Sequence, residues 1–182
     1  MDDVTRASLD LLLGEYKELK AEQRDRMGHR DGMAPAAISA QVLAVAAIAA
    51  GKAGPELLLV LPPIAFALGW LRLATADKVS EIRRYIRGSL RLEAIELVGP
   101  ESGWVPFGWE TRESPRRVSR KFGQLISDLV VFVGGPLAAV VTELALPGTP
   151  PLMGIPGGLG AILSVFLASE IIRRSDLHAT PR

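Results

Sequence analysis

The chain of 182 residues has no cysteine and only two histidines, His29 and His178. Without cysteine there can be no disulfide framework, thiolate metal site or cysteine nucleophile, and two histidines offer no basis for a histidine metal centre. Aromatics are scarce, 5% against 48% apolar residues, so the apolar content is Ala, Leu, Ile and Val. Net charge is nearly absent too: 21 Lys and Arg against 20 Asp and Glu leave +1, which gives no bulk attraction to nucleic acid. No nucleophile–base pairing or Gly-rich phosphate cradle is evident, so no catalytic residue, cofactor or metal is assigned and no enzymatic activity is expected.

What the chain does have is charge gathered into blocks. From Ala34 to Leu71 the charged residues are Lys52 and Glu56, both in or beside the turn-like run Gly51-Lys-Ala-Gly-Pro55. Phe122 to Leu146 carries Asp128 and Glu143, Leu152 to Ile172 carries Glu170, and Pro147-Gly-Thr-Pro-Pro151 separates them. A helix rises about 1.5 Å per residue and the hydrocarbon core is about 30 Å thick, so each of the four apolar stretches is near or above spanning length. A soluble four-helix bundle would need a polar face on each helix, which these segments lack. The expected fold is all-α: an integral membrane protein with four transmembrane helices in two hairpins, plus cytoplasmic amphipathic helices.

Lys and Arg orient it. Six lie in the first 33 residues, eleven between Arg72 and Lys121 and three from Arg173 onward, leaving Lys52 alone in a hairpin turn. This bias places both termini and the central segment in the cytoplasm, with the bilayer of the inner cell membrane as the first partner. The divisions are 1–33, an N-terminal cytoplasmic helix; 34–76, the first hairpin; 77–121, a basic helix and a Gly/Pro/Trp loop; 122–172, the second hairpin; and 173–182, a cytoplasmic tail. The first apolar run starts behind a long charged segment, so no cleaved signal peptide is expected, nor any lipid anchor. Sixteen Arg against five Lys in an Ala-, Gly- and Pro-rich chain points to a GC-rich bacterial genome.

In the cytoplasmic part, Leu9, Leu12, Leu13, Tyr16 and Leu19 recur at helical spacing, and the stripe fades too soon for a coiled coil. This helix is expected to pack on a second one, Asp77 to Leu97. There Val79, Ile82, Ile86, Leu90 and Leu97 form an apolar stripe, and Arg83, Arg87 and Arg91, broadened by Arg84, a basic one. The arginines suit anionic lipid, a phosphate-bearing ligand or a cytoplasmic protein partner. Trp70, Trp104, Phe107 and Trp109 read as interfacial anchors.

Three short runs carry a resemblance. Glu15-Tyr16-Lys17 with Leu19, Tyr85-Ile86-Arg87, and Gly108-Trp109-Glu110 resemble the pattern of a group of uncharacterised bacterial four-helix integral membrane proteins. The resemblance implies the topology and carries over no activity and no functional residue.

Within the spans an ionisable group is costly, so Asp128, with Gln124 and Ser127 on the same expected face, is a candidate pathway or packing site. The packing alternative pairs Asp128 with Arg72 or Arg120. Glu143 and Glu170 sit near span ends and are expected to reach the interfaces. Helix breaks are expected at Pro62 and Pro63, at Gly134, Gly135 and Pro136, and at Pro156. Ala36, Ala40 and Ala44, and the Gly154-to-Gly158 spacing, offer small-residue packing seams. Four thin helices leave little room for a cavity, so any pathway is expected at the axis of a homo-oligomer. Two functions follow: an oligomeric ion-conducting or membrane-perturbing protein controlled through its cytoplasmic helices, or a non-conducting membrane scaffold that docks a cytoplasmic partner.

Overall fold

The computed structural model describes residues 3–99, 106–108, 117–145 and 154–174, with side chains omitted at 117–121 and Leu144. Every regular element among them is helical. Helix α1 is Asp3–Ala49; a 3₁₀ turn, Pro55–Val60, leads into α2, Leu61–Tyr85; a π-turn, Ile86–Leu90, leads into α3, Arg91–Val98. Helix α4, Arg117–Leu129, passes through a second π-turn, Val130–Gly134, into α5, Gly135–Ala145, and α6 is Gly154–Arg174. Four helical stretches are long and apolar enough to cross a membrane: Asp3–Ala49, Pro55–Val98, Phe122–Glu143 and Ile155–Arg174.

The chain forms two compact units. One draws on described residues within 1–29 and 74–115, the other on those within 30–73 and 116–182. Helices α1 and α2 contribute to both without interruption, so neither helix stops where its charge pattern changes.

Local chemistry explains where the helices end. Gly51, at φ +66°, closes α1: its N–H donates to the Ile48 carbonyl at 2.9 Å, and the Lys52 N–H to the Ala47 carbonyl at 3.0 Å. This Schellman pairing needs a left-handed residue, which glycine adopts without penalty. Gly99, at φ +89°, ends α3 in the same handed region, its N–H donating to Ile95 at 2.9 Å. Pro62 and Pro63 were expected to interrupt the second span, but they lie in the first turn of α2. There the Leu61 N–H already takes the Leu58 carbonyl that α-spacing would assign to Pro62. Pro156 is likewise in the first turn of α6, where a missing N–H costs nothing. Pro35 sits inside α1.

In the first unit, Leu12 of α1 buries against Ile86, Leu90 and Ala94, with Tyr16, Leu19, Ile82, Leu97 and Phe107 around them. The apolar stripe of the first helix therefore packs on the second. Ile82, Ile86, Leu90 and Ala94 recur strictly every four residues, which would drift by about 40° per step around an α-helix. The π-turn adds a residue without adding a turn, so it returns the stripe to one face.

The second unit contains the apolar segments. Its core is Met33, Ala37, Leu125, Phe132, Val133, Leu167 and Ile171, with a smaller cluster of Ala44, Leu58, Leu61 and Ala139. Close helix contacts run through glycine: a Cβ at Gly69 would lie 2.7 Å from Leu167, and one at Gly160 would lie 2.9 Å from Pro62. The expected seams differ in detail. Ala36 is exposed and Gly158 faces open space, whereas Ala37 and Ala44 are buried. Large aliphatics point outward, among them Leu43 at 68%, Val141 at 64% and Ile162 at 66% exposure. So much outward apolar surface suits a lipid solvent rather than water.

Candidate functional site

Two arrangements stand out, a polar junction inside the second unit and a charged face on the first. The junction centres on Arg72 and Asp128, each side chain 12% exposed, with Arg72 Nη2 2.9 Å from Asp128 Oδ1. The atoms are close but not aligned for a hydrogen bond, so charge attraction holds the pair. Arg72 Nη1 donates to the Arg30 carbonyl of α1 at 2.8 Å, and the guanidinium carbon lies 6.0 Å from the Phe132 ring centroid. One arginine thereby ties α1, α2 and α4 together. Arg30 neighbours Asp31, the residue four before Pro35, whose carbonyl can receive no N–H from that proline. The packing partner expected for Asp128 is thus found in Arg72. The expected polar face is not formed, because Gln124 and Ser127 are exposed while Asp128 turns inward with Leu125 and Phe132.

The other acidic groups of the spans are also held within the fold. Glu170, expected at an interface, is mostly buried and bound by Arg173 at 2.7 Å and Arg174 at 3.0 Å. Arg174 in turn lies 5.4 Å from the Trp70 ring, which stacks with Phe66 and Phe166. Glu143, expected near an interface, is 2% exposed, buried among the helices of its own unit.

Sequence reasoning missed Gln41. In the second π-turn the Gly135 N–H pairs with the Val130 carbonyl, so the next carbonyl, that of Val131, would fall to Pro136, which has no N–H. Gln41 Nε2 donates to that carbonyl at 2.8 Å. A Cβ on Gly135 would collide with the Gln41 amide, so glycine is what lets the amide approach. The signal was present: Gln41 is the lone amide in the run from Ala34 to Ala50. Gln41, Ile48, Leu61, Gly135 and Thr142 border an almost wholly apolar cleft of about 410 Å³. The Gly134-Gly135-Pro136 break therefore widens a turn whose stranded carbonyl is capped by a neighbouring helix.

On the first unit, the π-turn that keeps Ile86 and Leu90 buried also keeps Arg83, Arg87 and Arg91 on one flank, since they share the four-residue spacing. Ser80, Arg83, Arg84, Arg87 and Gly88 line a concavity of about 420 Å³. The nearby Glu81 bonds to Lys78 at 2.9 Å, and that hydrogen bond, with the ammonium charge next, holds its carboxyl below the usual range. Elsewhere on this unit, Glu15, Glu18, Glu22 and Asp25 line an acidic concavity of about 490 Å³. Phe107, expected as an interfacial anchor, stacks on Tyr16 with centroids 4.3 Å apart. Trp104 and Trp109 lie outside the described residues. Among the described residues no group of Asp, Glu and His is placed to hold a metal ion.

Tyr85 OH donates to Glu15 Oε1 at 2.8 Å, joining α1 to α2. That bond chiefly, then burial and the carboxylate charge, raises the phenol pKa above its ordinary value. A raised folded-state pKa means the contact stabilises fully below the ordinary tyrosine pKa and is lost as pH rises through the raised one. Glu15→Ala is expected to move Tyr85 ionisation to lower pH. An ultraviolet titration of the full chain, taken as the difference from Tyr85→Phe, checks this.

No protein-family model, curated protein or solved structure matches this chain.

Proposed function

We propose that this chain is a non-conducting scaffold of the bacterial cell membrane, docking a cytoplasmic partner through the arginine face of its first unit. In this reading four helices cross the bilayer as two hairpins. Both termini and the first unit lie in the cytoplasm, in keeping with 20 of 21 Lys and Arg falling outside the two hairpin turns. The observation that carries the reading is the engagement of Asp128 by Arg72. An acid that serves a conduction pathway needs access to water or to a moving ion, whereas this one is closed off in a junction linking three helices. The first unit carries a concavity lined by Ser80, Arg83, Arg84, Arg87 and Gly88, which offers a basic surface to a partner.

The test has two arms. The full chain reconstituted in liposomes is expected to pass no ions, with or without Asp128→Asn; flux that Asp128→Asn abolishes would restore the conducting reading. In native membranes, proximity labelling is expected to give a defined set of neighbours, part of which disappears when Arg83, Arg87 and Arg91 are changed together to Gln. An unchanged set would refute docking through this face.

A further inference from the structure

We propose that the apolar cleft between α1, α2 and α5 in the second unit binds one alkyl chain of a bilayer lipid. The inference rests on the membrane part of the functional reading and is independent of docking and of conduction.

The room comes from the sequence of α5. Gly135, Ala138, Ala139 and Thr142 recur at spacings of three and four, so they share one helix face, and none has a side chain longer than that of threonine. Across from them α1 borders the cleft from Gln41 to Ala49, a rise of about 12 Å. The walls are pinned twice. The Gln41 amide bonds to the Val131 carbonyl and seats against Gly135, and Ala44, Leu58, Leu61 and Ala139 pack together with Ile48. The cleft is therefore formed before anything enters it, and an occupant meets walls that are already ordered.

The lining decides what fits. Its two polar side chains, Gln41 and Thr142, each donate at 2.8 Å to a backbone carbonyl, and none of the described lining residues is charged. Water needs several polar partners to be held in a cavity, so it gains little here. Size then selects among apolar occupants. Spread along the about 12 Å of α1, a volume of about 410 Å³ leaves a slot too slim for a second copy's helix, which is about 10 Å across with its side chains. A single alkyl chain is slim enough.

The mouth faces the right solvent. Val45, Ala138 and Thr142 at the rim are exposed, as are Val42 and Val141 beside them in the chain. The cleft is thus continuous with the outward aliphatic surface, and a chain enters it sideways from the bilayer. Lipid tails are as apolar as the side chains, so the gain is close packing: a seated chain meets protein atoms on several sides, one on the open surface on a single side. With no charge in the described lining, the chain is recognised and the headgroup is not.

The test uses the full chain in nanodiscs doped with a phosphatidylcholine that carries a diazirine in one acyl chain, with labelled residues located by mass spectrometry. Labelling of the cleft faces of α1 and α5 is expected to exceed that of Leu43 and Ile162, exposed aliphatics outside the cleft, by about tenfold. Ala138→Phe together with Thr142→Leu, which fills the cleft from its rim, should lower it to the level of the open surface while Leu43 and Ile162 label as before. Ala138→Ser should label like the parent chain. Moving the same labelled acyl chain to phosphatidylglycerol should change nothing.

Equal labelling of the cleft and of the outward aliphatics overturns the proposal and leaves the membrane reading standing, whereas helices that take no label at all remove both. Cleft labelling that survives the filled variant, or that depends on the headgroup, also overturns it. So does cleft labelling weaker than that of Leu43 and Ile162, the pattern that a second copy covering the cleft would produce.

Discussion

Replacing Arg72 by Met with Asp128 left in place is expected to destabilise the chain by about 3–5 kcal/mol. The pair is 12% exposed on both sides, so removing the cation leaves a mostly buried carboxylate without the positive charge beside it. It also removes the donor to the Arg30 carbonyl, beside the turn that Pro35 has already weakened. Asp128→Asn should cost less, because the arginine loses its counter-charge but keeps its hydrogen bond to the Arg30 carbonyl. The double change Arg72→Met with Asp128→Leu should recover much of the loss of the first, since two apolar side chains need no desolvation. Unfolding by SDS titration in mixed micelles, run as a double-mutant cycle, measures the coupling. Additive single effects would show that the two groups act separately and remove the main support for a closed, non-conducting junction.

Gly135→Val is the second large effect, about 2–4 kcal/mol from overpacking together with a lost hydrogen bond. The new Cβ falls on the Gln41 amide, which must swing away and strand the Val131 carbonyl that Pro136 cannot serve. Gln41→Leu isolates the second part of that cost and is expected to destabilise by about 1 kcal/mol, the scale measured for polar contacts between membrane helices. Once Gln41 is gone the collision at Gly135 is relieved, so Gly135→Val on that background should cost clearly less than on the parent chain. The same titration reads all three. Equal costs on both backgrounds would mean that the amide does not seat against Gly135.

Several features of the fold were legible in the residues. Four apolar runs and the Schellman glycine after Ala49 are local signals, set by hydropathy and by the backbone preference of glycine. The apolar stripe through Ile82, Ile86 and Leu90 was legible as well, and the π-turn that keeps it on one face was not. The sites were harder to read. Asp128 was identifiable as a costly residue with Arg72 or Arg120 as its candidate partner, and packing between helices is what brings Arg72 to it. Gln41 escaped notice because its partner is a backbone carbonyl 90 residues away, and side-chain patterns cannot reveal which carbonyl a π-turn and a proline leave unserved.

Phe107 shows the same limit from the other side. The sequence offers an aromatic in a Gly- and Pro-rich segment but not its partner, Tyr16, about 90 residues earlier in the chain. Sequence alone therefore determined the helical character, the apolar segments and the asymmetry of charge, because these depend on each residue's own transfer free energy and on its near neighbours. Tertiary structure decided which buried charges are paired, which helix break is capped and which arginines share a concavity. Those outcomes depend on close approach between segments far apart in the chain, where a shift of one ångström separates a contact from a collision.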